Sequence, residues 1–372
     1  MKRIYRIAGA VALSLSLAAC NTPRGAGFQS EVLAAHDAQT DANGNPVYDF
    51  SVFAVTRASL PLLQSWPENN TRRYSWIDRQ AQPQSSIIAP GDILKVAIWD
   101  AEENSLLASA GARMANLQDI QVDSDGRIFL PFVGKMKVSG MSPTTARDRV
   151  QANLEAVAPS AQVQLSVDPG RANTANLVSG VRSPGVYPLA DRNVSLLTLL
   201  STGGGVDSSL NNPQVRLFRG DRVYGIALTR LFDEPALDTT IQGGDRIVIE
   251  EDDRYFLSLG ATSSEALHPF PKESVSALDA MSIVGGVSEA RANPQGILIL
   301  REYPLKSVNP AGGPPQDRVV FTIDLTRADG LFSAAKFMIQ PGDLVYATES
   351  PLGTAASILS VFGSAVVLGQ RF

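Results

Sequence analysis

Pro90-Gly91-Asp92-Ile93-Leu94-Lys95-Val96-Ala97-Ile98-Trp99 is the stretch on which the fold turns. The Pro-Gly pair supplies a tight turn, and the apolar, β-branched run after it has the composition of a strand. Ile120-Gln121-Val122 comes next, then a turn at Asp123-Ser124-Asp125-Gly126, then Arg127-Ile128-Phe129-Leu130-Pro131-Phe132-Val133-Gly134; the spacing predicts a hairpin. The turn resembles the start of a calcium loop. It lacks a third oxygen ligand before the glycine and a Glu at the required distance, so it is read as a plain β-turn. Ser142-Pro143-Thr144-Thr145 opens a helix with Pro in its first turn, and Ala146, Val150, Leu154 and Val157 give that helix one apolar face. A further strand is predicted from Ala161 to Val167.

Working outward, the downstream chain repeats itself. Leu177-Val178-Ser179-Gly180 pairs with Leu257-Ser258-Leu259-Gly260, each a strand ending at glycine. Ser195 to Val206 pairs with Ser276 to Val287, an offset of about 80 residues, and each is a short helix closed by glycines. Each copy ends in a Gly-Asp strand: Gly243-Gly244-Asp245-Arg246-Ile247-Val248-Ile249 and Pro341-Gly342-Asp343-Leu344-Val345-Tyr346. The glycine runs follow helices and match no dinucleotide or P-loop spacing, so they are read as helix caps and not as phosphate cradles.

Pro90 to Val96, Val122 to Pro131 with Val133-Gly134, and the helix and strand after them resemble the polysaccharide export domain of Wza-type outer-membrane lipoproteins. The two repeats resemble soluble-ligand-binding β-grasp (SLBB) domains, the modules that follow the export domain in that family. The resemblance implies an α+β architecture: export domain at 85–170, SLBB domains at 175–250 and 255–348, and a C-terminal transmembrane amphipathic helix at 350–372. The second SLBB domain carries an insertion around Pro304 to Pro315, read as a surface loop. Residues 20–84 are turn-rich and read as an extended linker with short elements such as Tyr48 to Val55.

The tail from Ser350 to Gln370 carries no charge and as a helix would be ~30 Å long, the hydrocarbon thickness of a bilayer. Thr354, Ser357, Ser360 and Ser364 fall on one side of the helical wheel, and Leu359, Phe362 and Val366 fall opposite. A lone helix gains nothing from such a stripe in lipid. A homo-oligomeric ring would turn the hydroxyls toward a pore and the large apolar groups toward lipid. A helix merely packed on the protein suits the same composition, and Gly353, Gly363 and Gly369 each lower helix propensity by ~1 kcal/mol relative to Ala in water. A transmembrane strand is disfavoured, because Ala365 to Leu368 put apolar groups on both faces.

At the other end, Lys2, Arg3 and Arg6 precede the apolar run Ile7 to Leu17, the pattern of an export signal occupying 1–19. Leu17-Ala18-Ala19-Cys20 resembles a lipobox, and Cys20, the only cysteine, is the expected lipidation site. Asn21 after it favours the outer membrane. With one cysteine, disulfides within the chain are impossible, so cores must hold the fold. Removal of three cations takes the formal net charge from −5 to −8, which argues against a nucleic-acid partner.

No catalytic constellation is legible and no cofactor is expected. The two histidines, His36 in the linker and His268 beside Pro269 in a loop, lack metal-ligand spacing, and no activated-serine elbow or phosphate loop occurs. The expectation is a non-enzymatic, oligomeric, passive conduit for capsular polysaccharide or exopolysaccharide in the outer membrane. The resemblance implies a transmembrane α-helical barrel built from the tails and an inner-membrane co-polymerase or tyrosine-kinase partner. The alternative is a periplasmic glycan- or small-ligand-binding lipoprotein without a pore.

Overall fold

The computed structural model describes residues 25–34, 39–40, 46–47, 49–68, 74–99, 114–288 and 291–351. They form a mixed α and β protein with several sheets and short helices, divided into two units: one spans 73–252, and the other joins the chain up to residue 72 with 253 onwards. The amino-terminal elements are helix α1 (Gln29–Leu33), the two-residue strands β1 (Gln39–Thr40) and β2 (Pro46–Val47), strand β3 (Ser51–Ala54) and helix α2 (Leu60–Gln64).

The 73–252 unit begins with β4 (Ile93–Trp99), β5 (Met114–Gln121), β6 (Arg127–Leu130), β7 (Gly134–Lys137), α3 (Pro143–Leu154) and β8 (Gln162–Asp168). Strand β4 is central in an antiparallel sheet of order β5-β4-β8. Its alternation turns Leu94, Val96 and Ile98 into the core. Helix α3 starts as expected: Ser142 Oγ accepts the Thr145 N–H at 3.1 Å, and Pro143 occupies the first turn, where a missing N–H costs nothing. Ala146, Val150 and Leu154 face the core, but Val157 lies past the helix end and is exposed, so the apolar face is shorter than the sequence suggests.

The hairpin also differs. The Asp123–Gly126 turn exists, closed by Gly126 N–H on the Asp123 carbonyl at 2.9 Å, but it joins two sheets. Strand β6 pairs with β7 instead, because Ile128 and Leu130 share a buried face with Met136 and Val138.

The first repeat comprises β9 (Thr174–Ser179), β10 (Gly185–Pro188), α4 (Leu196–Thr202), β11 (Gln214–Arg219), β12 (Arg222–Ala227), α5 (Leu228–Asp233) and β13 (Arg246–Glu250). Its sheet runs β10-β9-β13-β11-β12, with β9–β13 the one parallel pair. Leu177, Leu196, Leu217 and Ile247 are fully buried in its core, each stabilising the fold by roughly 1.5–3 kcal/mol. Such burial carries the stability that no disulfide can supply.

The second repeat comprises β14 (Tyr255–Gly260), β15 (Ala266–Pro269), α6 (Ala277–Ile283), β16 (Ala292–Glu302), β17 (Arg318–Ile323), α7 (Ala328–Ala334) and β18 (Leu344–Glu349). Its sheet runs β15-β14-β18-β16-β17-β3, the same order with one strand added, and β14–β18 is again parallel. Isolated bridges recur at matching places, Val181–Val206 with Thr262–Val287 and Ser195–Thr240 with Ser276–Met338. The connection from β16 to β17 spans 303–317, where the first repeat has only Gly220-Asp221, and Leu305 in it is exposed.

Residues 49–66 correct the linker reading. Strand β3 adds to β17 in parallel register, Val55 N–H bonds the Thr322 carbonyl at 2.9 Å, and Val55, Leu60, Leu63 and Trp66 enter the second repeat's core. An open β17 edge would expose a row of unpaired backbone groups, and β3 covers it. Similarly, Trp76 and Ile77 pack on the first repeat's core, with Trp76 Nε1–H donating to the Leu237 carbonyl at 2.7 Å. Among the described residues, no helix is long and apolar enough to cross a membrane. The tail from residue 352, with the whole pore stripe, lies outside them.

Candidate functional site

One turn is built three times, at Pro90-Gly91-Asp92, Gly243-Gly244-Asp245 and Pro341-Gly342-Asp343. Gly91, Gly244 and Gly342 have φ of +89°, +85° and +85°, a left-handed backbone that side chains resist. The aspartate after each is buried. In every copy its carboxylate turns back to accept the N–H three residues earlier, from Ala89, Gln242 and Gln340, each at 2.8 Å. A buried carboxylate needs further donors, and the three copies find them differently.

Asp343 receives a two-pronged guanidinium: Arg301 Nε donates to Oδ1 at 2.8 Å and Nη2 to Oδ2 at 2.7 Å. Nη2 also donates to the Met338 carbonyl at 2.9 Å and Nη1 to the Tyr303 hydroxyl at 3.3 Å, while the Phe321 and Phe337 rings lie 5.2 Å from the guanidinium carbon. Burial works to lower the Arg301 pKa, but the Asp343 charge, the hydrogen bonds to it and the Tyr303 hydroxyl together outweigh burial and hold the arginine above its ordinary range. Burial pushes the Tyr303 hydroxyl up, against the opposing pull of Arg301. In the first repeat, Arg219 meets Asp245 in the same fork at 2.9 and 2.5 Å and donates to the Thr240 carbonyl at 2.9 Å.

Asp92 meets no arginine among the described residues. Its Oδ1 accepts Gly170 N–H at 2.7 Å, and its Oδ2 accepts the Asn173 side-chain amide at 2.8 Å, which also reaches the Ile87 carbonyl at 2.9 Å. This clasp ties the 85–170 region to the start of the first repeat. A Cβ on Gly170 would overlap the Gly91 carbonyl, so the close approach requires glycine. The three sites are saturated and closed; their chemistry is structural. The Gly-Asp strands are legible in the sequence, whereas the arginines that meet them are not. Their signal was position: Arg219 closes β11, and Arg301 sits at the matching end of β16.

His268, expected in a loop, lies on β15, stacked on Phe256 with centroids 5.2 Å apart. Its Nε2 is 2.8 Å from Ser258 Oγ, which also lies 2.5 Å from the Ser264 carbonyl. A carbonyl only accepts, so the hydroxyl proton points there and the imidazole donates to Ser258. Ser258 is fully buried and has no base to activate it. Among the described residues, no three His, Cys, Asp or Glu side chains gather as a metal site. The glycine runs are helix ends: Gly204, Gly205, Gly285 and Gly286 all have positive φ directly after α4 and α6. His36, Cys20, the hydroxyl stripe Thr354, Ser357, Ser360 and Ser364, and its counterparts Leu359, Phe362 and Val366 fall outside the described residues.

Residues 80–168 match the family model for polysaccharide biosynthesis/export proteins, the segment that carries the first Gly-Asp turn and the α3 layer. The resemblance to outer-membrane polysaccharide export proteins extends well beyond that segment. The chain is 25% identical over 299 residues to the capsule polysaccharide export outer membrane protein CtrA of Neisseria meningitidis serogroup A, covering 76% of this chain and 77% of that one. It is 25% identical over 286 residues to the Vi polysaccharide export protein VexA/TviF of Salmonella typhi, covering 76% and 79%. To the EPS I polysaccharide export outer membrane protein EpsA of Ralstonia nicotianae it is 26% identical over 287 residues, covering 71% of each.

Proposed function

We propose that this protein exports a capsular polysaccharide or exopolysaccharide across the outer membrane. The observation that carries the reading is the alignment with export proteins over about three-quarters of both chains, far more than the matched export segment alone. In this reading the repeats are SLBB domains, and their shared strand order and Arg–Asp locks support that assignment. Cys20 carries the lipid anchor. Copies assemble as a ring whose C-terminal helices enclose water, with Thr354, Ser357, Ser360 and Ser364 lining the pore and Leu359, Phe362 and Val366 facing lipid. Hydroxyls exchange hydrogen bonds with a sugar polymer and water without fixing a charge, so the conduit is passive and no bond is made or broken. The driving energy comes from an inner-membrane co-polymerase or tyrosine kinase.

The test is genetic. Deleting the gene should abolish surface polysaccharide, and the chain truncated after Glu349 should fold yet fail to restore it. Surface polysaccharide that persists in the deletion strain rejects export. Restoration by the truncated chain rejects the pore tail and leaves the glycan-binding lipoprotein reading.

A further inference from the structure

The β6–β7 hairpin presents one face to its own core and another to solvent, and the second face is out of keeping with the rest of the molecule. Ile128, Leu130, Met136 and Val138 are buried; Arg127, Phe129, Lys135 and Lys137 alternate with them and are exposed. The register sets Arg127 directly opposite Lys137 and Phe129 directly opposite Lys135. Like charges facing each other across an antiparallel pair repel. Asp125 answers Arg127 at 3.4 Å, but neither lysine has an ion-pair partner among the described residues. Phe129 is 60% exposed. At the turn, Phe132 is 57% exposed with φ of +68°, a conformation a bulky side chain adopts only at a cost. A three-cation, aromatic-bearing face on a chain of net charge −5 calls for an anionic partner.

We propose that the solvent face of this hairpin binds an acidic polysaccharide chain, Phe129 stacking on a sugar face while Lys135 and Lys137 meet its carboxylates. This rests on the export reading, which supplies an extended polymer as cargo, and it adds the polymer's charge and a place where it is held. The interleaving favours a polymer over a bilayer. Phe132 alone stands at the turn, as the tip of a membrane-dipping element would, but Phe129 lies among the cations along ~10 Å of strand, where such an element would carry only its basic rim.

Titration of the purified full-length protein with polygalacturonate and with neutral dextran of equal length tests the site. Polygalacturonate should bind, and its affinity should fall as ionic strength rises from about 0.05 M to about 0.5 M; dextran should not bind comparably. K135E/K137E should weaken polygalacturonate binding about tenfold or more, and F129S should weaken it severalfold. K306E/K336E, at two exposed lysines elsewhere, should leave binding unchanged. All substitutions lie on solvent-facing positions, and an unchanged melting temperature verifies folding. Equal binding by K135E/K137E and wild type overturns the proposal. So does equal affinity for dextran, or binding only to phosphatidylglycerol vesicles. The outcome is separable from the export reading: loss of binding in K135E/K137E stands whatever the deletion strain shows, and a failed titration leaves a capsule-negative deletion strain unexplained by this face but still an export mutant.

Discussion

Arg301 and Asp343 lie side by side inside the second repeat, joined by two hydrogen bonds of 2.8 and 2.7 Å, with only 3% and 0% of their side chains exposed. The pair bolts the end of β16 to the turn that launches β18, and Arg219 with Asp245 does the same between β11 and β13. A buried ion pair is weak evidence of net stability, since desolvation offsets much of the attraction. Its removal by halves is another matter.

Arg301→Leu should therefore strand the Asp343 carboxylate and cost about 3–5 kcal/mol. Arg219→Leu should cost less, because the Arg219 side chain is 20% exposed and water can reach its partner's site. Urea denaturation of the two variants gives the ranking. Equal midpoints would show that burial does not govern these locks.

Asp92→Ala should release the Ala89 and Gly170 N–H groups and the Asn173 amide together. At about 1–3 kcal/mol for each unmet buried donor, the loss should reach roughly 3 kcal/mol or more. Hydrogen exchange should quicken on both sides of the clasp, at 88–99 and at 170–176. Acceleration confined to one side would contradict the coupling of the export region to the first repeat.

Trp66 fills the second repeat's core, its ring edge-on to Phe53 at 5.0 Å, yet its buried indole N–H has no acceptor among the described residues. Trp66→Ala should cost about 3–5 kcal/mol through the cavity. Trp66→Phe should cost far less, since it discards the unmet donor along with some packing. Thermal melts distinguish them, and equal losses would mean that volume alone matters there.

Asp279 closes the capping box of α6 with Ser276, and Lys272 also bonds it. The Lys272 ammonium, followed by the Ser276 N–H, holds the Asp279 carboxyl below its usual range. A depressed carboxylate stabilises the fold fully above its unfolded value of ~3.9 and loses that contribution as pH falls through its lower folded value. The melting-temperature gap between wild type and Asp279→Asn should thus close on acidification below pH ~3.9. Ser276→Ala should cost about 1 kcal/mol by unmaking the cap.

For the proposed conduit, Cys20→Ser should remove the protein from outer-membrane fractions and block acyl labelling. Ser360→Leu should impair export by placing an apolar group in the lumen, and Phe362→Ser should impair it by weakening the lipid-facing wall. Surface polysaccharide measured in complemented deletion strains reads both, and unchanged export with Phe362→Ser counts against the outward assignment.

Strands β4 and β8, helix α3 with its Ser142 cap, and the paired helices after Ser195 and Ser276 were legible because each rests on local signals: alternation, capping hydroxyls and turn glycines. The β6–β7 pairing was not, because two turns compete there and the choice depends on which apolar faces share a core. Nor was the role of β3, since four residues in a turn-rich stretch carry no sign of the edge they cover. Arg301 reads locally as one more charge at a strand end; only the approach of Asp343, 42 residues on, shows it to be a buried lock.

The order of residues by itself determined where turns, caps and strands begin, that the chain repeats a module, and that no disulfide helps hold it. These follow from neighbours within a few positions, whose backbone preferences act before any fold exists. Tertiary structure alone decided which strand meets which edge, which carboxylates lose water and find arginine or asparagine, and that three cations share a hairpin face with Phe129. Those outcomes depend on distances between residues far apart in the chain, where desolvation and charge act only once the chain has closed upon itself.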